Sequence, residues 1–390
     1  MELYISLLAA LVSSGLLSWI ALPEIQRICF QKKLFDAHDE RKVHAGIVPR
    51  LGGASFLPVM ILSFLLVLSG NILLKTPLMA DIHMASLLEW TLLLPAIIFL
   101  SLTGLVDDLV EVRYRTKLLI QLIAAALFTA SGVWINDLHG LFGLYEISPV
   151  VGVPLTIIII ISVINAFNFI DGIDGLAAGI AMLAFLFFGI TLIYLRLYII
   201  SIFLFAALGM LIPFLFYNIF GKASDHSKIF MGDCGSLTLG MLLAAIAVKV
   251  YHSVSIGSDH SSLPLVLGFS ILIVPMLDAL RVVVLRVIKG KSPFKPDRNH
   301  MHHLLLDLGF SHRVATLIML TNALFFGAVT IFFAPRLNVN LMVGVVVLLW
   351  GLIDFFLRRR VRQVRSASPR KIKTMNPVVL KKTVASNDPS

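Results

Sequence analysis

A chain of 390 residues that is 58% hydrophobic and only 14% charged, with a mean hydropathy of +0.94, is not a soluble globular protein and reads as an all-α integral membrane protein. Its formal net charge of +10 does not mark a nucleic-acid binder, because the basic residues gather in alternate loops between apolar segments. A bilayer-spanning helix takes about 20 mostly apolar residues, and by that measure the sequence predicts about 10–11 transmembrane helices.

The predicted spans run roughly over 3–22, 51–70, 87–106, 118–135, 150–167, 176–194, 197–217, 235–251, 264–288, 314–333 and 339–357. Met1 to Leu22 has no basic leader, opens with Glu2 and is long enough to span, so it reads as a retained anchor and not as a cleaved signal peptide. One set of loops holds Arg27, Lys32, Lys33, Arg41, Lys42, Arg50, Arg113, Arg115, Lys117, Lys222, Lys228 and the bases from Arg286 to Arg313. The other set has little beyond Lys75, Arg196, Lys249 and Arg336. The positive-inside rule then puts the N-terminus outside and the C-terminus in the cytosol. Cys29 and Cys234 fall in predicted cytosolic loops, where a structural disulfide is not expected.

In chain order, the first cytosolic loop mixes acids, bases and His before Pro49-Arg50-Leu51-Gly52-Gly53. It reads either as a solvated basic loop or as an anion-binding lip, since Arg50 and paired glycines at a helix start suit phosphate. Asp107 and Asp108 close the third span. Adjacent carboxylates about 5 Å apart, at an effective dielectric near 20, repel by about 3 kcal/mol. A divalent ion, a proton or Lys117 would relieve this, as would plain hydration. The outer segment Asn136 to Pro149 reads as a turn or short hairpin.

Asn165, Asn168, Asp171 and Asp174 follow the apolar run Val153–Ile164 at intervals of three, with glycines at 172 and 175. If the helix continues through them they share one face, and the glycines admit a ligand close to backbone; a helix C-cap and turn is the plainer reading. Asn218 ends the seventh span, and Gly232-Asp233-Cys234-Gly235 opens the eighth. The flanking glycines leave the Asp233 carboxylate open to a hydrated metal or phosphate, or Asp233 caps the helix. The ninth span carries Pro275, expected to kink it, with Asp278 and Arg281 as an i, i+3 pair. His300, His302 and His303 beside Lys295 and Arg298 form a donor-rich patch whose cationic neighbours suit phosphate better than zinc. The Asp-Asp pair, the Asn/Asp stretch, the Gly-Asp turn and the His cluster all emerge on the predicted cytosolic face, which points to one composite site at the membrane boundary. Residues 1–357 form the polytopic domain, and 358–390 read as a basic, disordered tail held on anionic lipid.

Five stretches together resemble the polyprenyl-phosphate N-acetylhexosamine-1-phosphate transferases. They are Arg41-Lys42-x-His44 with Pro49-Arg50-x-Gly52-Gly53, Asp107-Asp108, Asn165-x-x-Asn168-x-x-Asp171-Gly-x-Asp174-Gly, Phe230-Met-Gly-Asp233-x-Gly235-Ser236, and Asp297-Arg298-x-His300-x-His302-His303. The Pro-Arg-x-Gly-Gly loop and the His-x-His-His form look like the bacterial N-acetylglucosamine-1-phosphate branch, and less like the branch that transfers phospho-N-acetylmuramoyl-pentapeptide. The resemblance implies a transferase of the cytoplasmic membrane, dependent on Mg2+ with Mn2+ as a substitute. Its substrates would be a UDP-N-acetylhexosamine and undecaprenyl phosphate, its product the lipid-linked first sugar of an envelope glycan, and its assembly a homodimer among membrane lipids.

By the same resemblance Asp233 and Asp171 hold the metal, and the catalytic acids are Asp107, which deprotonates or positions the lipid phosphate, Asp108, which assists, and Asp174. Asn165, Asn168, Asp171 and Asp174 line the nucleotide pocket with Asn218, Lys117 and Arg50 nearby. His300, His302, His303 and Arg298 hold the sugar or diphosphate. An ion-coupled transporter, the rival from another class, would place acids near mid-span and show repeated halves. Here most acids cluster at span ends.

Overall fold

In lipid every backbone amide and carbonyl must be satisfied within its own segment, so long apolar runs fold as helices. The computed structural model describes residues 1–34, 48–79, 84–255, 262–290 and 299–367. Its helices are α1 (Glu2–Lys32), α2 (Phe56–Leu73), α3 (Met84–Val110), α4 (Tyr114–Thr129), α5 (Pro149–Ile170), α6 (Leu176–Tyr194), α7 (Tyr198–Phe220), α8 (Gly232–Ser255), α9 (Leu263–Phe269), α10 (Ile273–Ile288), α11 (Met301–Asp307), α12 (His312–Phe333) and α13 (Val339–Ala367). Among the described residues, nine helical segments are long and apolar enough to cross a membrane, which makes this an all-α integral membrane protein. The two remaining predicted spans are a 16-residue α4, about 24 Å long at 1.5 Å per residue, and the broken pair α9–α10.

The break lies in a 3-10 turn at Ser270–Leu272, ahead of Pro275, which sits in the first turn of α10. Proline is tolerated there because the amide it lacks has no helical partner in any case, so it does not kink the helix from within. Between α4 and α5 the chain forms a small antiparallel hairpin, β1 (Asp137–Leu141) and β2 (Leu144–Glu146). Its two-residue loop, Phe142 and Gly143, has positive φ at both positions, as a tight hairpin turn requires.

Helix α8 is the axis of the bundle. In its apolar window 94% of residues are buried inside the protein, against 28% in α13 and 33% in α1, whose outer faces are left to lipid. Some polar groups within the spans are paired across helices: Ser18 of α1 donates to the Met210 carbonyl of α7 at 2.9 Å. Lys249, read from sequence as an outer-loop cation, lies inside α8 and pairs with Glu89 of α3 at 2.6 Å. Cys29 and Cys234 likewise belong to α1 and α8 and not to loops, and both thiols are buried and free.

Because the spans alternate in direction, the α3–α4 turn, the 171–175 turn, the 221–231 loop and the start of α11 gather at one end of the bundle. The hairpin and the 334–338 turn fall at the other. At its end α13 runs on through Arg358 to Ala367, so the basic stretch begins as helix. The rest of the expected tail, 368–390, lies outside the described residues, as do Arg41, Lys42 and His44 of the first loop and Lys295, Asp297 and Arg298 before the histidines.

Candidate active site

The site is built around the first turn of α8. The loop Pro49–Gly53 is zipped to the chain before that helix by three backbone hydrogen bonds: Phe230 N to Pro49 O at 2.8 Å, Gly52 N to Phe230 O at 3.0 Å, and Gly53 N to Met231 O at 2.9 Å. At Gly232, φ is +70°, and a Cβ would lie 2.1 Å from the Arg50 carbonyl oxygen and 2.5 Å from the Asp108 carboxylate. The sequence suggested that these glycines open Asp233 to a bulky ligand. Their structural effect is to let the 49–53 backbone and the Asp108 carboxylate close in on the start of α8 beneath it.

Asp108 takes the capping role that the sequence offered to Asp233. Its two carboxylate oxygens accept the amides of Asp233, at 2.8 Å, and Cys234, at 2.9 Å. First-turn amides have no partner within their own helix. Capping fastens the end of α3 to the start of α8 and occupies both Asp108 oxygens. Asp107 faces the other way and accepts from the Val112 amide at 2.6 Å and from Lys117 at 2.6 Å. The same Lys117 ammonium donates to Asp233 at 2.6 Å. The repulsion expected between Asp107 and Asp108 is therefore relieved by a lysine on one side and by backbone amides on the other.

Helix α5 stops at Ile170, with Asp171 as its C-cap, so the four-residue face expected from the sequence divides in two. Asn168, still helical, donates to Asp233 at 3.2 Å and to Ser236 at 2.7 Å. Asn165, one turn earlier, is locked to Gln121 of α4 at 2.8 Å and to its own helix at Ile161, and it is not among the residues that line the cavity. Beyond the helix end, the turn 171–175 is held by Asn218, whose Oδ1 accepts the Gly175 amide at 2.6 Å while its Nδ2 donates to the Ile229 carbonyl at 2.8 Å.

Asp174 pairs with Lys228 at 2.6 Å and with His312 at 3.5 Å. Burial opposes its charge, but hydrogen bonds from His312 and Lys228 outweigh burial and hold its carboxyl below the ordinary range. Asp171 behaves in the opposite sense. Burial, with the negative charges of Asp233, Asp108 and Asp174 around it, pushes its carboxyl well above the ordinary value, against a smaller pull from Arg50.

These side chains enclose a cavity of about 610 Å3. Of the residues singled out in the sequence, Arg50, Asp107, Asp108, Lys117, Asp171, Asp174, Asn218 and Asp233 line it, and Asn168 stands behind Asp233. Glu111 and His312 also line it, and neither stands out from the sequence alone. Neither they nor Lys228, which holds Asp174, belongs to a motif.

The histidines approach from below. A Cβ on Gly172 would lie 2.8 Å from His302 Nε2, so this ring abuts the turn that floors the cavity. His302 is fully buried, and neither ring nitrogen has a hydrogen-bond partner among the described residues. Burial, and then the neighbouring His303, push its pKa down to about 3 despite Asp278. His302 is thus held as a neutral ring, which still carries one N–H donor, while Lys295 and Arg298, the cationic neighbours read into the patch, lie outside the described residues. His300 is engaged elsewhere, with its Nδ1 2.9 Å from Asp278. His303 packs with its ring centre 4.2 Å from that of His302.

The family model for glycosyl transferase family 4 matches residues 90–251. That stretch contains Asp107, Asp108, Lys117, the Asn168–Asp174 turn, Asn218 and Asp233. A Pasteurella multocida protein named undecaprenyl-phosphate alpha-N-acetylglucosaminyl 1-phosphate transferase is 32% identical over 321 residues, 80% of this chain and 82% of its own length. The chain belongs to glycosyl transferase family 4. Relatives of the same name from Yersinia pestis and Escherichia coli O157:H7 are each 26% identical, over 89% and 93% of this chain and 93% and 98% of their own lengths. Membership of glycosyl transferase family 4 makes the chain an enzyme, a transferase carried by a bundle of membrane helices, and it sets aside the transporter reading.

Proposed function

We propose that this transferase moves N-acetylglucosamine 1-phosphate from its UDP derivative to undecaprenyl phosphate at the cytosolic face of the cytoplasmic membrane, releasing UMP. The observation that carries the reading is a charged cavity at one end of an apolar bundle, where Lys117 joins Asp107 and Asp233. Such a place suits a reaction between a lipid phosphate and a water-soluble nucleotide. The names of the relatives support the choice of sugar and acceptor. The lysines and arginines in loops at the cavity end support the sidedness.

In the proposed reaction an oxygen of the lipid phosphate attacks the sugar-bearing β-phosphorus. The bond from that phosphorus to the bridging oxygen breaks, and UMP leaves with the electron pair. A phosphate monoester has a second pKa near 6, so the nucleophile is largely dianionic at neutral pH and needs positioning more than deprotonation. Phosphoryl transfer asks chiefly for in-line placement and for cations against the spread of negative charge. Lys117 and Arg50 supply fixed positive charge, Asp107 holds Lys117 in place, and Asn168 fixes Asp233.

The donor set also fits Mg2+, with Asp233 and Asp171 as its protein ligands. Among the described residues no three His, Cys, Asp or Glu side chains stand together as a complete cage. A Mg2+ ion here would be taken by these one or two carboxylates, with waters and substrate phosphates as its other ligands. Asp171, surrounded by other acids, is the carboxylate that most needs a counter-charge. When bound, the ion supplies charge neutralisation of the diphosphate.

Incubating the purified protein with labelled UDP-N-acetylglucosamine, undecaprenyl phosphate and Mg2+ tests the reading. UMP and a lipid-soluble labelled sugar are expected in equal amounts. Release of UMP only from UDP-N-acetylmuramoyl-pentapeptide would assign the protein to the other branch, and no release from either donor would reject the reaction.

A further inference from the structure

Charges taken out of water between membrane helices are costly unless each is paired and hydrogen-bonded. Asp278 of α10 is fully buried. It accepts from Arg281 at 2.7 Å, from His300 Nδ1 at 2.9 Å and from the Met301 amide at 3.0 Å. Arg281 also donates to the Asn299 carbonyl at 2.7 Å and forms an ion pair with Asp354 of α13 at 3.1 Å. Asp354 accepts from Arg358 at 2.8 Å, and a second nitrogen of Arg358 returns to the same Asn299 carbonyl at 2.9 Å. Two acids and two arginines thus clamp Asn299, His300 and Met301 from two helices, and none of the four lines the cavity.

What the clamp holds is the support of the cavity floor. An ionised carboxylate can only accept, so His300 carries a proton on Nδ1 and its ring orientation is fixed by Asp278. The His300 ring lies nearly parallel to that of His302, at 9° with centroids 5.8 Å apart, and His302 abuts Gly172 between Asp171 and Ile173. We infer that the Asp278–Arg281–Asp354–Arg358 network is a positioning device for the donor pocket, through which the cytosolic end of α13 sets the register of the histidines against the 171–175 turn. This rests on the transferase reading above. Outer-shell partners that orient site ligands typically change affinity or activity by about 10- to 100-fold when removed.

The test uses the full-length protein and the variants Arg358→Gln, Arg358→Lys and Asp354→Asn. For Arg358→Gln the KM for UDP-N-acetylglucosamine is expected to rise about tenfold, with kcat within about twofold of wild type; Arg358→Lys, with one nitrogen for two partners, is expected to recover part of the loss. An unchanged KM in both Arg358→Gln and Asp354→Asn would overturn the inference. So would a loss that follows only the amount of folded protein, read by Tm and gel filtration. The second readout needs no activity: in 15N-histidine-labelled protein, Asp278→Asn and Arg358→Gln are expected to shift the His300 ring resonances, and unmoved resonances would overturn the clamp. If wild type releases no UMP, the transferase reading fails and the histidine spectrum alone decides the network.

Discussion

Lys117 stands 2.6 Å from Asp233 and, with the same ammonium, 2.6 Å from Asp107. Each contact is a charge-assisted hydrogen bond of the kind whose removal costs about 1.5–3 kcal/mol. All three side chains are partly open to the cavity, which favours the lower part of that range. Lys117→Met is therefore expected to lower kcat/KM by about 10- to 100-fold, with Asp107 and Asp233 left to repel each other. UMP release at saturating and limiting donor measures this. Wild-type kinetics in the variant would show that the ammonium is not part of the chemistry.

The metal assignment predicts a particular pattern in Asp233→Asn. Asn has the shape of Asp, so the variant is expected to keep the fold while losing one anionic ligand and one of the two acceptors that face Lys117 and Asn168. The Mg2+ concentration for half-maximal activity is expected to rise at least about tenfold, in line with the loss of one ligand among few. Chelator treatment of wild type is expected to stop turnover, with Mn2+ restoring it. An Asp233→Asn enzyme with an unaltered Mg2+ curve would rule Asp233 out as a ligand.

The spans were legible because a bilayer sets a length of about 20 apolar residues, and that length survives without any alignment. The clustering of Asp107, Asp174 and Asp233 was legible for a related reason: alternating crossings fix which loops share an end. The division of labour among the acids was not legible. Nothing in the Asp-Asp dipeptide distinguishes a lysine-paired Asp107 from an Asp108 that caps another helix, because the deciding partners lie 10 and 125 residues away. The break at Ser270–Leu272 was hidden as well, since Ser-Ile-Leu reads like any other helical stretch. Pro275 drew attention to a position three to five residues too late. His312 and Lys228, which together hold Asp174, sit in ordinary basic contexts and emerge only when the turn folds onto them.

Gly232→Ala probes the backbone convergence under Asp233. The native φ of +70° costs an L-residue about 1–2 kcal/mol, and the added methyl would press on the Arg50 carbonyl and the Asp108 carboxylate. The variant is expected to be less stable by at least that amount and to lose activity through displacement of Asp108 from the α8 amides. Thermal unfolding in detergent and UMP release check both parts. A variant with unchanged Tm and activity would mean that the Arg50 carbonyl and the Asp108 carboxylate have room to move away.

His302 gives a pH dependence with a definite sign. Its pKa is about 3 in the folded protein against 6.5 for an ordinary histidine, so on acidification the unfolded chain takes up a proton that the native ring refuses. The stability tied to the neutral ring is fully present above pH 6.5 and is lost progressively as the pH falls from there towards 3. Between pH 7.5 and 5.5 the loss is about 1.4 kcal/mol, one pKa unit's worth of free energy. Comparison of wild type with His302→Phe isolates this contribution from the carboxylates that titrate alongside it. The variant is expected to show a flatter fall of Tm over that range. Equal slopes for the two proteins would mean that the buried ring is protonated in the native state, and the neutral His302 against Gly172 would have to be abandoned.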